Sequence, residues 1–117
     1  MDGSDAGIVL ILVRAAPGSL EAERARRTVR EIVAAARHDI IVFFHGEAVA
    51  AAGDGQAADW GGGDTPRPVK LLVCQSAWKR RFDQAVAAGF EVSSLVQFWQ
   101  LAIDAEEIYS FGARHGN

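Results

Sequence analysis

The chain has one cysteine, one methionine and three prolines in 117 residues. A single cysteine excludes an internal disulfide and a cysteine-cluster metal site, and it fits a reducing compartment. There is no excess of positive charge. Twelve basic against 15 acidic residues give a net charge of -3, which argues against a dedicated nucleic-acid binder. No apolar run approaches the roughly 18 residues of a membrane span. The start, Met1-Asp2-Gly3-Ser4-Asp5, is acidic and lacks the basic opening of a signal peptide. These absences predict a soluble cytoplasmic protein with no membrane association and no direct contact with nucleic acid. The phosphate-binding fingerprints are missing too. Arg14-Ala15-Ala16-Pro17-Gly18-Ser19 is neither the Walker nor the Rossmann form, and Gly61-Gly62-Gly63 is followed by Asp64, not lysine. A nucleotide-binding switch therefore lacks its motif.

Half of the residues are apolar, enough for the core of one domain spanning 1–117. Residues 1–6 and 113–117 read as flexible tails. Residues 7–13 are an unbroken branched apolar run, the mark of a strand buried on both faces. Pro17-Gly18-Ser19 is a turn. Ser19 can cap a helix over 20–37, with Ala25, Val29, Ile32, Val33 and Ala36 on its apolar face. A second buried strand, 40–44, follows and makes a parallel βαβ unit. After it come His45-Gly46-Glu47-Ala48-Val49 and a short helical stretch to about Ala52. Residues 53–68, rich in Gly, Asp and Pro around Trp60, read as a mobile loop. A third strand covers 69–73. A helix is expected over 76–87, stopping at Gly89, then a short strand at 90–92. Ser93 or Ser94 caps a last helix with Leu95, Phe98, Trp99, Ala102 and Ile103 as its apolar face, and 108–111 is a closing strand. The pattern predicts an α/β fold: a three-layer α/β/α sandwich of flavodoxin-like layering around a mostly parallel sheet of about five strands.

Cys74 is the leading candidate for chemistry. It follows Val69-Lys70-Leu71-Leu72-Val73 and precedes Gln75-Ser76-Ala77-Trp78-Lys79-Arg80-Arg81, the junction of a buried strand and a helix start. Unpaired N–H groups at a helix start favour negative charge, and the thiolate is the nucleophile. Sites in open α/β sheets also gather at the carboxyl ends of strands. The alternative is that Cys74 is a small buried hydrophobe, as most free cysteines are. Lys79, Arg80 and Arg81 are a solvated helix face or a partner-steering patch. They span about 200° of helix, so they cannot all face the thiol. His45 and Glu47 leave the end of the second strand on the expected rim. They are either an exposed turn or groups that position a donor. His45 is the one histidine expected near Cys74. Trp78, four residues on, could shield the sulfur. Trp60, Trp78, Phe82, Phe98 and Trp99 are expected in the core, with some at a subunit interface.

These residues, in this order, resemble the DsrE/TusD-like sulfur-relay proteins of the DsrE/DsrF-like superfamily. The likeness is carried by Val73-Cys74 before Lys79-Arg80-Arg81; by Phe43-Phe44-His45-Gly46-Glu47-Ala48-Val49; by Trp60; by Gly89-Phe90-Glu91-Val92-Ser93-Ser94-Leu95; and by the stretch from Ile108 to Gly112. The chain reads as a divergent member, with Trp78 and Phe82 where the family has a small residue and a glycine, and Ser94 for a glycine. The resemblance implies a sulfurtransferase subunit. It would accept sulfur as a persulfide on Cys74 and pass it to an acceptor thiol, in tRNA thiolation or sulfur oxidation. It implies no metal or organic cofactor. It implies donor and acceptor carrier proteins as partners, and either a homo-oligomer (trimer or hexamer) or a hetero-oligomer of related subunits. The alternative is a non-catalytic interaction subunit with Cys74 buried.

Overall fold

Long unbroken apolar runs cannot lie on a solvated surface, and in this chain they stack side by side as the middle layer. A computed structural model describes residues 7–53, 57–62 and 68–112. Its strands are β1 (Ile8–Val13), β2 (Asp39–Phe44), β3 (Lys70–Cys74), β4 (Phe90–Ser93) and β5 (Glu107–Phe111). They form one sheet in the order β4-β3-β2-β1-β5, and each neighbouring pair is parallel. The helices are α1 (Leu20–Ala35), α2 (Gln75–Arg81) and α3 (Leu95–Asp104). No helix among the described residues is long and apolar enough to cross a membrane.

The chain steps in one direction from β1 to β4. Right-handed crossovers therefore put α1, the 3-10 segments and α2 on one face of the sheet. The return from β4 to β5 puts α3 on the other. Aromatic contacts mark the two layers. Phe43 meets Phe98 of α3 with ring centroids 5.2 Å apart. Its neighbour Phe44 meets the edge of Trp60 at 5.0 Å on the opposite side. Alternation along the strands and the register then place Leu12, Phe43, Leu72 and Cys74 toward α3. Val13, Phe44 and Val73 face the other way.

Four local differences from the sequence reading have physical causes. First, α1 stops short of Arg37, because Ala36 turns into the left-handed region (φ 55°) and its N–H caps the carbonyls of Ile32 and Val33. Second, α2 ends at Arg81, not near Ala87. Phe82 leaves the helix in an extended conformation, and its ring stacks on Trp78 at 4.3 Å. The Trp78 indole donates to the Gln84 carbonyl at 2.6 Å, and Ala87 N–H to the Ala52 carbonyl at 2.8 Å. Third, the apolar face expected of α3 is mostly uncovered: Phe98 is buried, whereas Leu95, Trp99 and Ile103 are exposed. Fourth, the expected loop 53–68 has an ordered centre, a 3-10 turn at Ala57–Trp60 with Trp60 buried. Residues 54–56 and 63–67 of that loop, and the expected tails 1–6 and 113–117, lie outside the described residues. Ser94, not Ser93, caps α3, accepting from Gln97 N–H.

Candidate functional site

Val13 pairs with Phe44, and Phe44 with Val73. The residues that follow, Arg14, His45 and Cys74, therefore stand in consecutive places along the carboxyl rim of β1, β2 and β3. The hydrogen-bond ladder runs out to that rim. His45 N–H donates to the Val13 carbonyl at 2.9 Å, and Arg14 N–H to the Phe111 carbonyl at 2.8 Å. On the far side of Cys74, Ser93 of β4 is its register partner. Sequence distance hides this grouping; parallel pairing creates it.

Cys74 is both the last residue of β3 and the N-cap of α2, and its side chain makes no capping bond. It is buried, with 1% of its surface exposed. Its Sγ lies 3.4 Å from Ser76 Oγ, and Ser76 is exposed. The sulfur is thus one hydroxyl away from the surface. Trp78 is not aimed at it: its ring packs against Gly53 and Phe82 and is tethered to Gln84.

His45 is partly buried. Burial, then the positive charges of Arg14, Arg80 and Arg81 in that order, hold its pKa below the usual imidazole range. Two residues of the basic triplet therefore act on this rim. Arg81 also donates to the Ala77 carbonyl at 3.4 Å. Lys79 instead lines a groove with Trp78, Phe82 and Val92. Glu47 is not brought to Cys74 either. It is exposed and lines a groove with Ser19, Leu20 and Arg24 at the start of α1. His38 lies at the opposite end of the sheet, 3.4 Å from Glu106. Among the described residues, no group of three His, Cys, Asp or Glu side chains is placed to hold a metal ion.

Sequence reasoning missed two contributors. Arg14 reads as the first residue of the loop 14–19 after the first strand, with no link to Cys74, but parallel pairing sets it beside His45, and its guanidinium lies over Gly112, where an added Cβ would come within 2.8 Å of Nη2. Ser76 reads only as the start of the helix 76–87, yet its hydroxyl meets the sulfur. The offset of two between Cys74 and Ser76 was the available signal.

The DsrE/DsrF-like family model matches residues 7–111. The crystal structure of the ychN protein from E. coli superposes with a TM-score of 0.68, covering 90% of this chain and 98% of that one at 20% identity. At that identity the likeness is one of fold. No curated protein matches the sequence.

Proposed function

The chain belongs to the DsrE/DsrF-like family, and from that premise we propose that it is a sulfur carrier working through a persulfide on Cys74. The single observation that carries this reading is the position of Cys74. The only thiol of the chain ends the third strand of a parallel sheet, in line with His45 and Arg14. In the proposed step, the Cys74 thiolate attacks the outer sulfur of a donor persulfide, R–S–SH. A new S–S bond forms as the donor's S–S bond breaks, leaving Cys74–S–SH and the donor thiolate. An acceptor thiolate then attacks the same outer sulfur, and Cys74 leaves as thiolate. Each transfer conserves oxidation level, so no external oxidant is needed. Arg14, Arg80 and Arg81 supply positive potential for an anionic persulfide and for an acidic partner. The donor and acceptor are carrier proteins of an intracellular, cytoplasmic relay, serving tRNA thiolation or sulfur oxidation.

The burial of Cys74 supports a second reading, a non-catalytic interaction subunit. One experiment separates the two. The protein is incubated with a persulfide donor and its intact mass is taken, beside Cys74→Ser. The carrier reading expects one added sulfur on the wild type and none on the variant. No addition to the wild type, or equal addition to both, sinks it and leaves the interaction subunit. The uncovered apolar surface of α3 supports assembly with further copies of this chain, the oligomer that the family resemblance implies.

A further inference from the structure

Two serine hydroxyls belong to residues next to Cys74, and they are differently engaged. Ser93 is the register partner of Cys74 across β3 and β4. It is 8% exposed, and its hydroxyl donates to Gln97 Oε1 at 2.6 Å. That proton is held inside the fold and is not offered to sulfur. Ser76 stands two residues after Cys74, in the first turn of α2. Its Oγ lies 3.4 Å from Cys74 Sγ. Among the described residues, neither of these two atoms has another hydrogen-bond partner. In the thiol form either atom can be the donor, S–H to oxygen or O–H to sulfur. In the thiolate form one arrangement is left, because a thiolate has no proton to give. The Ser76 hydroxyl then donates to sulfur, or the anion stands without a hydrogen bond in a residue with 1% of its surface exposed. A buried charge without a partner is costly. A hydrogen bond to the charged form is of the stronger, charge-assisted kind.

We propose that Ser76 is the hydrogen-bond donor that holds Cys74 as a thiolate, a further working residue of the sulfur-carrier reading on which this inference rests. The hydroxyl keeps its proton throughout, and no bond to oxygen forms or breaks. It stabilises the thiolate before attack on the donor's outer sulfur. It stabilises the same thiolate again when Cys74 leaves at discharge, so one contact serves both transfers. Ser76 is exposed, so its side chain can be changed without opening the core. The ionisable groups around the sulfur come from every neighbouring element. His45 and Arg14 stand at the ends of β2 and β1, Arg80 and Arg81 on α2, and Glu91 on β4, two places before Ser93. The helix packed on the Cys74 side of the sheet, α3, carries Asp104 at its far end. All of these are the same in wild type and in Ser76 variants. A difference between those proteins therefore belongs to the hydroxyl.

The test is the ultraviolet absorbance of the thiolate, followed against pH in the full chain, with Cys74→Ser as the blank. This readout needs no reagent to reach the sulfur. Ser76→Ala is expected to move the midpoint of the Cys74 transition upward by about one pH unit, a tenfold change in the ionisation equilibrium. Ser76→Thr keeps the hydroxyl and is expected to restore the wild-type midpoint. An unmoved midpoint in Ser76→Ala overturns the proposal. So does a midpoint in Ser76→Thr displaced as far as that of the alanine variant, or a wild type whose sulfur shows no transition before the chain unfolds. Sulfur uptake, read separately by intact mass, keeps the two readings apart. A moved midpoint in a protein that takes up no sulfur upholds the Ser76 contact and sinks the carrier. Uptake with an unmoved midpoint does the reverse.

Discussion

A histidine that burial and three guanidinium groups keep neutral behaves differently with pH from one that gains a carboxylate partner. The lowered pKa of His45 comes first from burial, then from Arg14, Arg80 and Arg81. In the unfolded chain, His45 takes a proton near its ordinary value of 6.5; in the folded chain it does so only at lower pH. The unfolded state therefore binds more protons in that window, and stability rises with pH across it. The contribution is complete above 6.5 and is lost as pH falls from 6.5 toward the folded value. His45→Gln is expected to flatten that limb of a denaturation-against-pH profile. Arg14→Gln is expected to raise the His45 pKa in an NMR titration; no upward movement would remove Arg14 from the rim. At this scale, the sequence made Cys74 and His45 legible because strand ends converge in any parallel sheet. Arg14 and Ser76 were not legible, since register and side-chain direction place them. Glu47 shows the converse: two residues past His45, the 3-10 turn carries it to α1.

Secondary-structure elements were readable where apolar runs are long, and their ends were not. All five strands lie where the apolar and aromatic segments predicted them; for β1, β2 and β3 burial on both faces leaves little choice, whereas the edge strands β4 and β5 are largely exposed. Helix ends answer to single backbone torsions and to tertiary anchors. The α2 end was invisible because its cause is the stacking of Trp78 on Phe82 and the bond to Gln84, neither of which leaves a periodic trace. The α1 end gives a test. Ala36 sits in the left-handed region at φ 55°, where a Cβ is penalised and glycine is the usual choice. Ala36→Gly is expected to stabilise the protein by about 0.5–1 kcal/mol, read as a higher urea midpoint at unchanged m-value. The gain is specific to that torsion: Ala34→Gly, within the helix, is expected to cost about 1 kcal/mol. A lower midpoint for Ala36→Gly would show that the cap differs from the one described.

For the molecule as a whole, the two faces of the sheet are unequally covered. One carries α1, the 3-10 segments and α2; the other carries α3 alone, joined to the core by Phe98 with half-buried Leu101 and Ala102. The outer side of α3 stays apolar. Leu95, Trp99 and Ile103 follow one another at four-residue intervals, one turn apart on one stripe, and Trp99 is 64% and Ile103 83% exposed. Val96 extends the same surface. Contiguous apolar area of this kind marks an interaction site, and a large aromatic at its centre is a typical energetic anchor. None of these four residues carries a charge that would select an unlike partner, so a second copy presenting the same stripe fits it. Wild-type protein is therefore expected to scatter light as an oligomer. Trp99→Glu with Ile103→Glu is expected to shift it to the monomer mass while leaving far-UV circular dichroism unchanged, because neither side chain is in the core. One buried charge at such a contact costs several kcal/mol, enough to lower association about a hundredfold or more. A wild type already monomeric at high concentration would leave α3 without a self-partner. A variant that stays oligomeric would move the interface elsewhere.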